Sequence, residues 1–458
     1  MLNLQNRKGQ IMSDKLLKIN KLYLDNYRAF EDFTIDFDEQ LTVLIAINGK
    51  GKTAILDAIA VAFGTFVNAT GLANGAVFHR EDVRRFKARE TQSNEMEEKY
   101  PLTLRADGYI DNDNIEWIRE FKKPNGATTT KDAKPLTQYG EKIQNIVVNG
   151  ENTNLPLISY YGTGRLWAQK RATENKKKSE TSRLSGYIDC LDSFSSYKAF
   201  TSWYEYVCKS EFEIKMEALE KEHIKLPDNE FTDMRKALQE AVNHIIQSNS
   251  GWQDIIYKQK AESIVMQHIE HGELSVAQLS DGIRSMIGLV ADIAYRAIKL
   301  NSHLKNAPKE TSGIILIDEI DMHLHPKWQQ TVLTDMMKAF PKMQFIVTTH
   351  SPQVLSTVKK EQIRILDDNR VITPSSSSLG EDSSILLAEI MGVSPLPPLE
   401  IVEKRKEYQR AVEDRQYDTT NAKTLRQELV DNYGETSTFI IQTDMLIRKF
   451  EALKKVGK

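Results

Sequence analysis

The chain has 458 residues, 40% of them hydrophobic and 27% charged, which suits a globular protein with two or three structural lobes. Its formal net charge of −3 excludes a uniformly basic surface, so nucleic acid would have to be bound by a local patch. The two cysteines, Cys190 and Cys208, lack metal-site spacing, and no apolar run is long enough for a membrane span, so we expect a cytoplasmic protein.

The N-terminal part of the chain predicts strands that lead into a loop and a helix. Apolar and polar residues alternate in two runs over residues 16–37, which indicates a pair of strands. A short apolar strand at 41–46 and a helix from about Lys52 to Phe63 follow. Residues 1–15 are expected to be disordered or a start-site artefact, because Met12 offers a second start.

Later segments predict a hairpin, a helical region and buried strands. Residues 101–123 predict a hairpin that turns at Asp111–Asn114, and helical periodicity dominates from about 187 to 248. Short apolar runs bounded by polar residues are typical of buried parallel strands, and they occur at 156–161, 313–317 and 344–348.

The loop after the strand at 41–46 carries a phosphate-binding pattern. Its sequence AINGKGKT matches G-x-x-x-x-G-K-[ST] except at the first position, where Ala46 replaces glycine. In such a loop, backbone amides face the phosphates, the lysine reaches the β- and γ-phosphates, and the final hydroxyl binds magnesium. The alternative is an ordinary strand–helix turn. The candidate ATP-binding residues are Asn48, Gly49, Lys50, Gly51, Lys52 and Thr53, with Thr53 also on Mg²⁺.

Ala46 bears on the expected rate of ATP hydrolysis. Glycine reaches positive φ angles without strain, and alanine adds a methyl group beside the loop. We therefore expect that ATP binding is retained and that hydrolysis is slow or depends on a partner.

Two further strands end in residues with suitable chemistry. Asp318 and Glu319 follow the apolar strand 313–317, where the aspartate would support magnesium and the glutamate would act as general base. His350 follows the strand 344–348 and is a candidate γ-phosphate sensor. Acids that solvate a loop and a histidine that packs or caps are the alternatives. Ligands bind at the carboxyl ends of parallel strands, which is where these residues fall.

A fourth element is the segment LSDG at 279–282, which precedes a strongly helical stretch. Anions are stabilised at a helix N-terminus, so Ser280, Asp281 and Gly282 are candidate phosphate contacts. Serine and aspartate also occur there simply as helix caps, and that explanation is sufficient when the segment is considered alone.

Together these motifs resemble the ABC-type ATPase heads of the SMC and RecF group. The matching features are the strand pair around NYRAF, the LSDG segment, DEIDMHLHPKWQ and TTHSPQVL, over about 15–65 and 274–360. In that group two protomers enclose two ATP molecules. The resemblance implies that the segment LSDG caps the γ-phosphate held by the partner protomer, and that Asp321 signals across the dimer interface.

The resemblance also implies the fold: α/β, an ABC-ATPase head with a mixed central sheet flanked by helices, a short helical insert and a helical C-terminal extension. The head would consist of two halves separated by the insert. The predicted boundaries are a tail at 1–15, the N-terminal half of the head at 16–165, the insert at 166–270, the C-terminal half at 271–372, and a linker with a helical partner or oligomer region at 373–458.

Within this group the chain is similar to the PtuA family, the ATPases of Septu-type and some retron-linked anti-phage systems. The similarity lies in LISYYGTGRLW at 157–167, the NGKGKT loop, the short insert and LGEDSSILLAEIMGV at 379–393. It implies a homodimer or higher oligomer that uses ATP and Mg²⁺ to regulate a partner HNH nuclease, with nucleic acid contacted through the complex. We expect no nuclease site in this chain, because acids in 356–458 lack flanking apolar strands.

Two alternatives remain open: a RecF-like repair ATPase that binds DNA directly, and an ATP-dependent scaffold with little hydrolysis. Basic clusters at 79–89 and 165–178 could contact phosphates, although such runs are usually solvated loops. No convincing magnesium-side glutamine follows the first helix, and Asp82 or Arg84 could take that place. The C-terminal helix at 438–456 is predicted to pack on its own head or to dock a neighbour.

Overall fold

The computed structural model describes residues 15–87, 96–164, 182–193, 197–220 and 229–456. The predicted N-terminal tail therefore lies outside the described residues, apart from Lys15. The chain divides into two compact units, Met1–Leu386 and Leu387–Lys458. The second unit begins later than the boundary that we predicted at 373.

The described strands, in chain order, are β1 Leu17–Tyr27, β2 Phe30–Asp36, β3 Leu41–Ile45, β4 Arg85–Lys87, β5 Met96–Glu98, β6 Leu102–Ile110, β7 Asp113–Phe121, β8 Leu157–Tyr161, β9 Trp252–Lys258, β10 Ser263–His268, β11 Gly272–Ser275, β12 Gly313–Ile317, β13 Met343–Thr348, β14 Ile363–Asp367 and β15 Arg370–Ile372.

The described helices are α1 Lys52–Ala69, α2 Lys134–Val148, α3 Lys198–Glu220, α4 Glu230–Ser250, α5 Asp281–Leu300, α6 Ala307–Glu310, α7 Pro326–Gln329, α8 Val332–Ala339, α9 Pro352–Leu355, α10 Ser383–Glu389, α11 Glu400–Glu413, α12 Thr420–Tyr433 and α13 Thr438–Val456. The fold class is α/β, as predicted.

A mixed sheet forms the centre of the first unit. Its strand order within the described residues is β15-β14-β3-β13-β12-β8, and every pair is parallel except β14 with β15. Strands β3, β8, β12 and β13 are buried along their whole length, as strands covered on both faces should be. Because β3, β13 and β12 are neighbours and parallel, the loops that follow them emerge side by side at one edge.

A second, antiparallel sheet has the order β2-β1-β6-β7. Its β6–β7 hairpin turns at Asp111 and Asn112, both with positive φ, within the predicted turn. Strand β1 has a bulge between Ile19 and Lys21. The buried side chain of Gln344 on β13 accepts from Ile19 N at 3.0 Å and donates to Ile19 O at 2.7 Å and Asp38 O at 2.9 Å. This amide joins the two sheets next to the bulge.

Helix α1 is apolar nearly all round and is packed into the unit. It continues past the predicted end at Phe63 to Ala69, through Gly64. At Gly64 a β-carbon would lie 2.0 Å from the carbonyl oxygen of Ala76, so glycine permits a close approach and does not end the helix. Lys52–Ala69 is also the one described helix that is long and apolar enough to cross a membrane, but 78% of it is buried inside the protein.

The segment expected to be a helical insert, 166–270, contains strands as well. Helices α3 and α4 lie there, and β9, β10 and β11 form an antiparallel sheet beside them in the order β11-β10-β9. The helical periodicity ended at about 248, and the alternating pattern of Trp252–Lys258 that follows is typical of a half-buried strand.

The second unit contains the helices α11, α12 and α13. Its core is formed by Tyr408, Val412, Ala422, Leu425, Leu429, Phe439 and Ile440. The C-terminal helix α13 contributes to this core through Phe439 and Ile440, while Met445 and Leu453 are exposed. It packs within its own unit, against α11 and α12.

Candidate functional site

The glycine-containing loop between β3 and α1 depends on two glycines. Gly49 and Gly51 have φ angles of 82° and 95°, in the left-handed region that favours glycine. Gly51 is also the residue before α1, and a β-carbon there would lie 2.5 Å from Cζ of Phe30. The turn of the loop and its packing on Phe30 therefore both require glycine at 51.

Lys52 is the first residue of α1, and its side chain is buried within this loop. Its ammonium donates to the Ala46 carbonyl at 3.0 Å. Burial lowers the pKa of Lys52, while the nearby carboxylates of Asp318, Glu319 and Asp321 act in the opposite direction. A buried ammonium with incomplete charge compensation is well suited to bind a polyphosphate.

The next residue, Thr53, meets the end of β12. Its hydroxyl donates to Asp318 Oδ2 at 2.7 Å, and the hydroxyl of Thr348 at the end of β13 donates to Asp318 Oδ1 at 2.6 Å. The pair of Thr53 and Asp318 fits magnesium, which takes oxygen ligands and is commonly bound by one or two protein groups plus substrate phosphates. Among the described residues, no three or more His, Cys, Asp or Glu side chains are grouped so that they could hold a metal ion.

Glu319 has a strained backbone. Its φ angle is 48°, which is uncommon for a residue with a side chain. The strained conformation is held by a hydrogen bond from its backbone amide to Thr348 Oγ1 at 2.7 Å. Strain of this kind is concentrated at functional sites, and here it occurs at the residue expected to act as general base.

Asp321 and His350 lie in neighbouring loops that are joined directly. Asp321 Oδ1 accepts from the Thr349 hydroxyl at 2.6 Å and from the His350 backbone amide at 3.4 Å. The first of these bonds fixes Asp321 on the loop that carries the expected γ-phosphate sensor. The strand order therefore brings the segments of five predicted residues to one edge of the sheet: Lys52 and Thr53 begin α1 after the β3 loop, Asp318 and Glu319 follow β12, and His350 follows β13.

The segment LSDG lies at the start of α5, as predicted. Ser280 is at the cap position and exposed, yet its side chain makes no capping hydrogen bond. Asp281 pairs with Arg284 of the same helix. At Gly282 a β-carbon would lie 2.3 Å from the carbonyl oxygen of His323, in the loop after β12. Simple capping therefore does not account for the serine.

Comparison with known proteins supports the family that the motifs predict. A family model described as an AAA domain matches residues 21–271, more than half of the chain. The chain belongs to the AAA domain family. A second model, for a family of proteins of unknown function, matches residues 192–376.

Relatives of this AAA-family chain are named as retron probable ATPases or as Septu proteins. The chain is 27% identical to the Retron Vc95 probable ATPase of Vibrio cholerae serotype O1 biovar El Tor, over 91% of this chain and 88% of the relative. It is 26% identical to the Retron Ec83 probable ATPase of Escherichia coli, over 94% and 87%. It is 25% identical to the Septu protein PtuA of Bacillus thuringiensis, over 74% and 73%. These matches confirm the predicted resemblance to defence-system ATPases.

Among solved structures, the SMC head domain from Thermotoga maritima aligns with 79% of this chain and 100% of that domain. The sequence identity is 13% and the TM-score is 0.41.

Two residues of the loop between β3 and α1 differ from expectation, Ala46 in its backbone and Lys50 in the direction of its side chain. Ala46 is not among the residues with positive φ, so this loop does not need glycine there, and the conformational reason for slow hydrolysis is removed. The Lys50 side chain pairs with Asp368 in the β14–β15 turn, which raises the pKa of Lys50. Lys50 thus contributes to the loop through its backbone, while its side chain is directed to the neighbouring hairpin.

An ion-pair network behind the loop was not predicted. Arg28 donates to Asp57 of α1 at 2.6 Å and to Asp82 at 2.8 Å, and the Tyr160 hydroxyl donates to the other oxygen of Asp57 at 2.9 Å. Asp82 is therefore paired with Arg28, and Arg84 is paired with Glu31 at 3.1 Å. Neither side chain is placed to substitute for a magnesium-side glutamine. Arg28 lies in the segment NYRAF and Asp57 in GKTAILDA, but nothing in either segment indicates that the two side chains pair.

The two basic clusters have different outcomes. In the cluster at 79–89, Arg80 and Arg85 share Glu98, and Arg84 pairs with Glu31. Charges paired in this way favour the reading of a solvated surface over that of a phosphate-binding patch. The last two residues of this cluster and the whole cluster at 165–178 lie outside the described residues.

Proposed function

We propose that the chain is an ABC-type ATPase that binds ATP and Mg²⁺ at a head-to-head dimer interface and regulates a partner nuclease in anti-phage defence. The observation that carries the ATPase part is the bond of 2.7 Å between Thr53 and Asp318, beside the buried ammonium of Lys52. This arrangement supplies one cation for the phosphates and two oxygen ligands for magnesium. Magnesium, when bound, would neutralise charge that develops on the phosphates.

The residues after β12 and β13 would complete the reaction. Glu319, held by Thr348, would accept a proton from the attacking water. His350 would contact the γ-phosphate from the adjacent loop. Both roles require the ATP phosphates to lie at the edge of the sheet where the three loops meet, which is where α1 begins with Lys52.

The general-base role is tested by Glu319→Gln. We expect ATP binding to remain and phosphate release to fall by about 100-fold or more, in the range found for general bases. Steady-state phosphate release and equilibrium binding of ATP measure the two effects separately. Unchanged phosphate release in a variant that still binds ATP would exclude this residue as the base and favour the scaffold alternative.

The dimer proposal is supported by Ser280 at the start of α5, whose side chain is exposed and makes no capping hydrogen bond. Its hydroxyl would contact the γ-phosphate bound by a second copy of the chain. Lys52→Ala and Ser280→Arg variants should each be inactive alone. A mixed dimer retains one complete site, composed of Lys52 from one chain and Ser280 from the other, so mixing the two variants should restore part of the ATPase activity.

That mixing experiment separates trans from cis action. If Ser280 acts on ATP bound by its own chain, the mixture stays as inactive as its components. A mixture of Lys52→Ala with Glu319→Gln is the matched control, because both substitutions disable the ATP site that their own chain supplies with Lys52, Thr53, Asp318 and Glu319. No complete site is then expected in any combination.

The nuclease partner is proposed from the defence-system names of the relatives, of which one is the Septu protein PtuA. We infer that the partner is an HNH nuclease and that nucleic acid is contacted mainly through it, because the described part of the cluster at 79–89 is paired with acids. Co-expression with the neighbouring gene and mass measurement of the purified complex test this. A chain that binds DNA tightly without a partner would favour the repair-ATPase alternative.

A further inference from the structure

Gln329, the last residue of α7 in the segment HLHPKWQ, links two loops of the site. Its amide nitrogen donates to the carbonyl oxygen of Leu324 at 2.9 Å and to that of Asp321 at 3.4 Å. Its amide oxygen accepts from the Ser351 hydroxyl at 2.7 Å. One half-buried side chain therefore uses both ends of its amide, one on the loop after β12 and the other on the segment after β13.

The segment after β13 is held to the same loop by a second connection. The hydroxyl of Thr349 donates to Asp321 and accepts from the backbone amide of Ser351 at 3.0 Å. The hydroxyl of Ser351 also accepts from the first amides of α9, those of Gln353 and Val354. His350 lies between Thr349 and Ser351, so its position depends on both connections.

The loop after β12 also reaches the segment LSDG. His323, two residues after Asp321, has a φ angle of 63°, and its carbonyl oxygen packs against Gly282. A shift of this loop would therefore move both the Asp321–His350 connection and the start of α5.

We propose that Gln329 is a positioning residue for ATP hydrolysis, which fastens the loop after β12 to the segment that carries His350. It makes no contact with substrate itself. By holding the two loops together it fixes His350 relative to Glu319, and it keeps the His323 carbonyl against Gly282. This inference rests on the proposed ATPase function. It adds a role for Gln329, which would act through its neighbours and not through contact with ATP.

The test is Gln329→Met, which keeps the length of the side chain and removes its donor and acceptor. We expect ATP affinity to stay within about twofold and kcat to fall by about 10- to 100-fold, because small misplacements of catalytic groups have effects of this size. Gln330→Met is the matched control: Gln330 is the adjacent, exposed residue, and its side chain bonds to Gln353 and not to the loop after β12. It should leave kcat unchanged.

A second measurement distinguishes positioning from general stabilisation. In a His350→Ala background, Gln329→Met should lower single-turnover hydrolysis by a clearly smaller factor than in the wild-type background, because one of the groups that it positions is gone. The same fold-loss in both backgrounds would overturn the inference. If the methionine variant does not fold, Gln329→Glu retains the acceptor for Ser351 and lacks the donor, and the same outcomes apply.

The outcomes also separate the inference from the function on which it rests. Wild-type turnover that depends on Glu319 but is unaffected by Gln329→Met overturns the positioning role alone. An absence of Glu319-dependent turnover in the wild-type chain overturns both proposals.

Discussion

Replacement of Gln344 by methionine should weaken the junction between the two sheets. The amide of Gln344 is buried and makes three hydrogen bonds, two of them to the amide and carbonyl of Ile19 at the β1 bulge. Ile19 is fully buried, so water cannot replace these bonds. An unsatisfied buried polar group costs about 1–3 kcal/mol, and two such groups cost about 2–6 kcal/mol.

The third partner, the carbonyl of Asp38, belongs to a half-exposed residue and can be solvated, and the buried methionine side chain offsets part of the loss. We therefore expect a net decrease of about 2–5 kcal/mol in the free energy of unfolding, a large part of the 5–15 kcal/mol typical of a folded protein. With a urea dependence of about 3 kcal/mol per M, the midpoint should fall by about 1 M.

Tryptophan fluorescence during urea unfolding measures this change in the first unit, because all five tryptophans lie within residues 117–328. Gln40→Met is the matched control, since the Gln40 side chain is exposed and makes one hydrogen bond, of 3.4 Å to Pro341 O. A midpoint for Gln344→Met no lower than that of the control would refute the argument that the bulge depends on this amide.

Three further predictions concern the loop and the charged groups of the core. Gly51→Ala should abolish ATP binding, because the new β-carbon would lie 2.5 Å from Phe30 and the residue has a φ angle of 95°. Titration of the variant with ATP measures this, and an affinity equal to that of the wild type would contradict the prediction. Burial raises the pKa of Glu211, but hydrogen bonds from two basic side chains outweigh it and lower the pKa to about 2, so its stabilisation is present above pH 4.5 and lost toward pH 2. Urea midpoints of Glu211→Gln should therefore lie below wild type at pH 7 and converge with it in acid, and a gap independent of pH would contradict this. Arg296→Met should cost about 3–5 kcal/mol in urea unfolding, because Asp292 would remain buried without its ion pair at 2.7 Å, and a loss below 1 kcal/mol would argue against it.

Much of the catalytic edge could be predicted because its signals are local in the chain. A short apolar run followed by Asp318 and Glu319 indicates a buried parallel strand and its carboxyl end, whatever the rest of the fold. The same reasoning placed Lys52 at the start of a helix and His350 after a strand. Once these strands are parallel and adjacent, their loops must meet at one edge, and the structure has this arrangement.

Other features could not be read from local pattern. Arg28 and Asp57 are separated by 29 residues, and the sequence alone does not show that they form an ion pair. Gln329 is an unremarkable polar residue in a motif until its amide is seen between Leu324 and Ser351. The glycine replaced by Ala46 suggested a conformational defect, but whether a residue needs a positive φ depends on the path of the backbone, which a motif does not specify.

The sequence by itself therefore determined the class of fold and the chemical groups of the site, because periodicity and motif spacing report local backbone structure and residue chemistry. Only the tertiary structure decided which groups already have partners. Lys50 pairs with Asp368, Asp82 pairs with Arg28, and Gly282 packs against the His323 carbonyl. The tertiary structure also showed that Ser280 is exposed and that its side chain makes no capping hydrogen bond. The physical reason is that these contacts join residues far apart in the chain, and their geometry is set by how sheets and loops pack together.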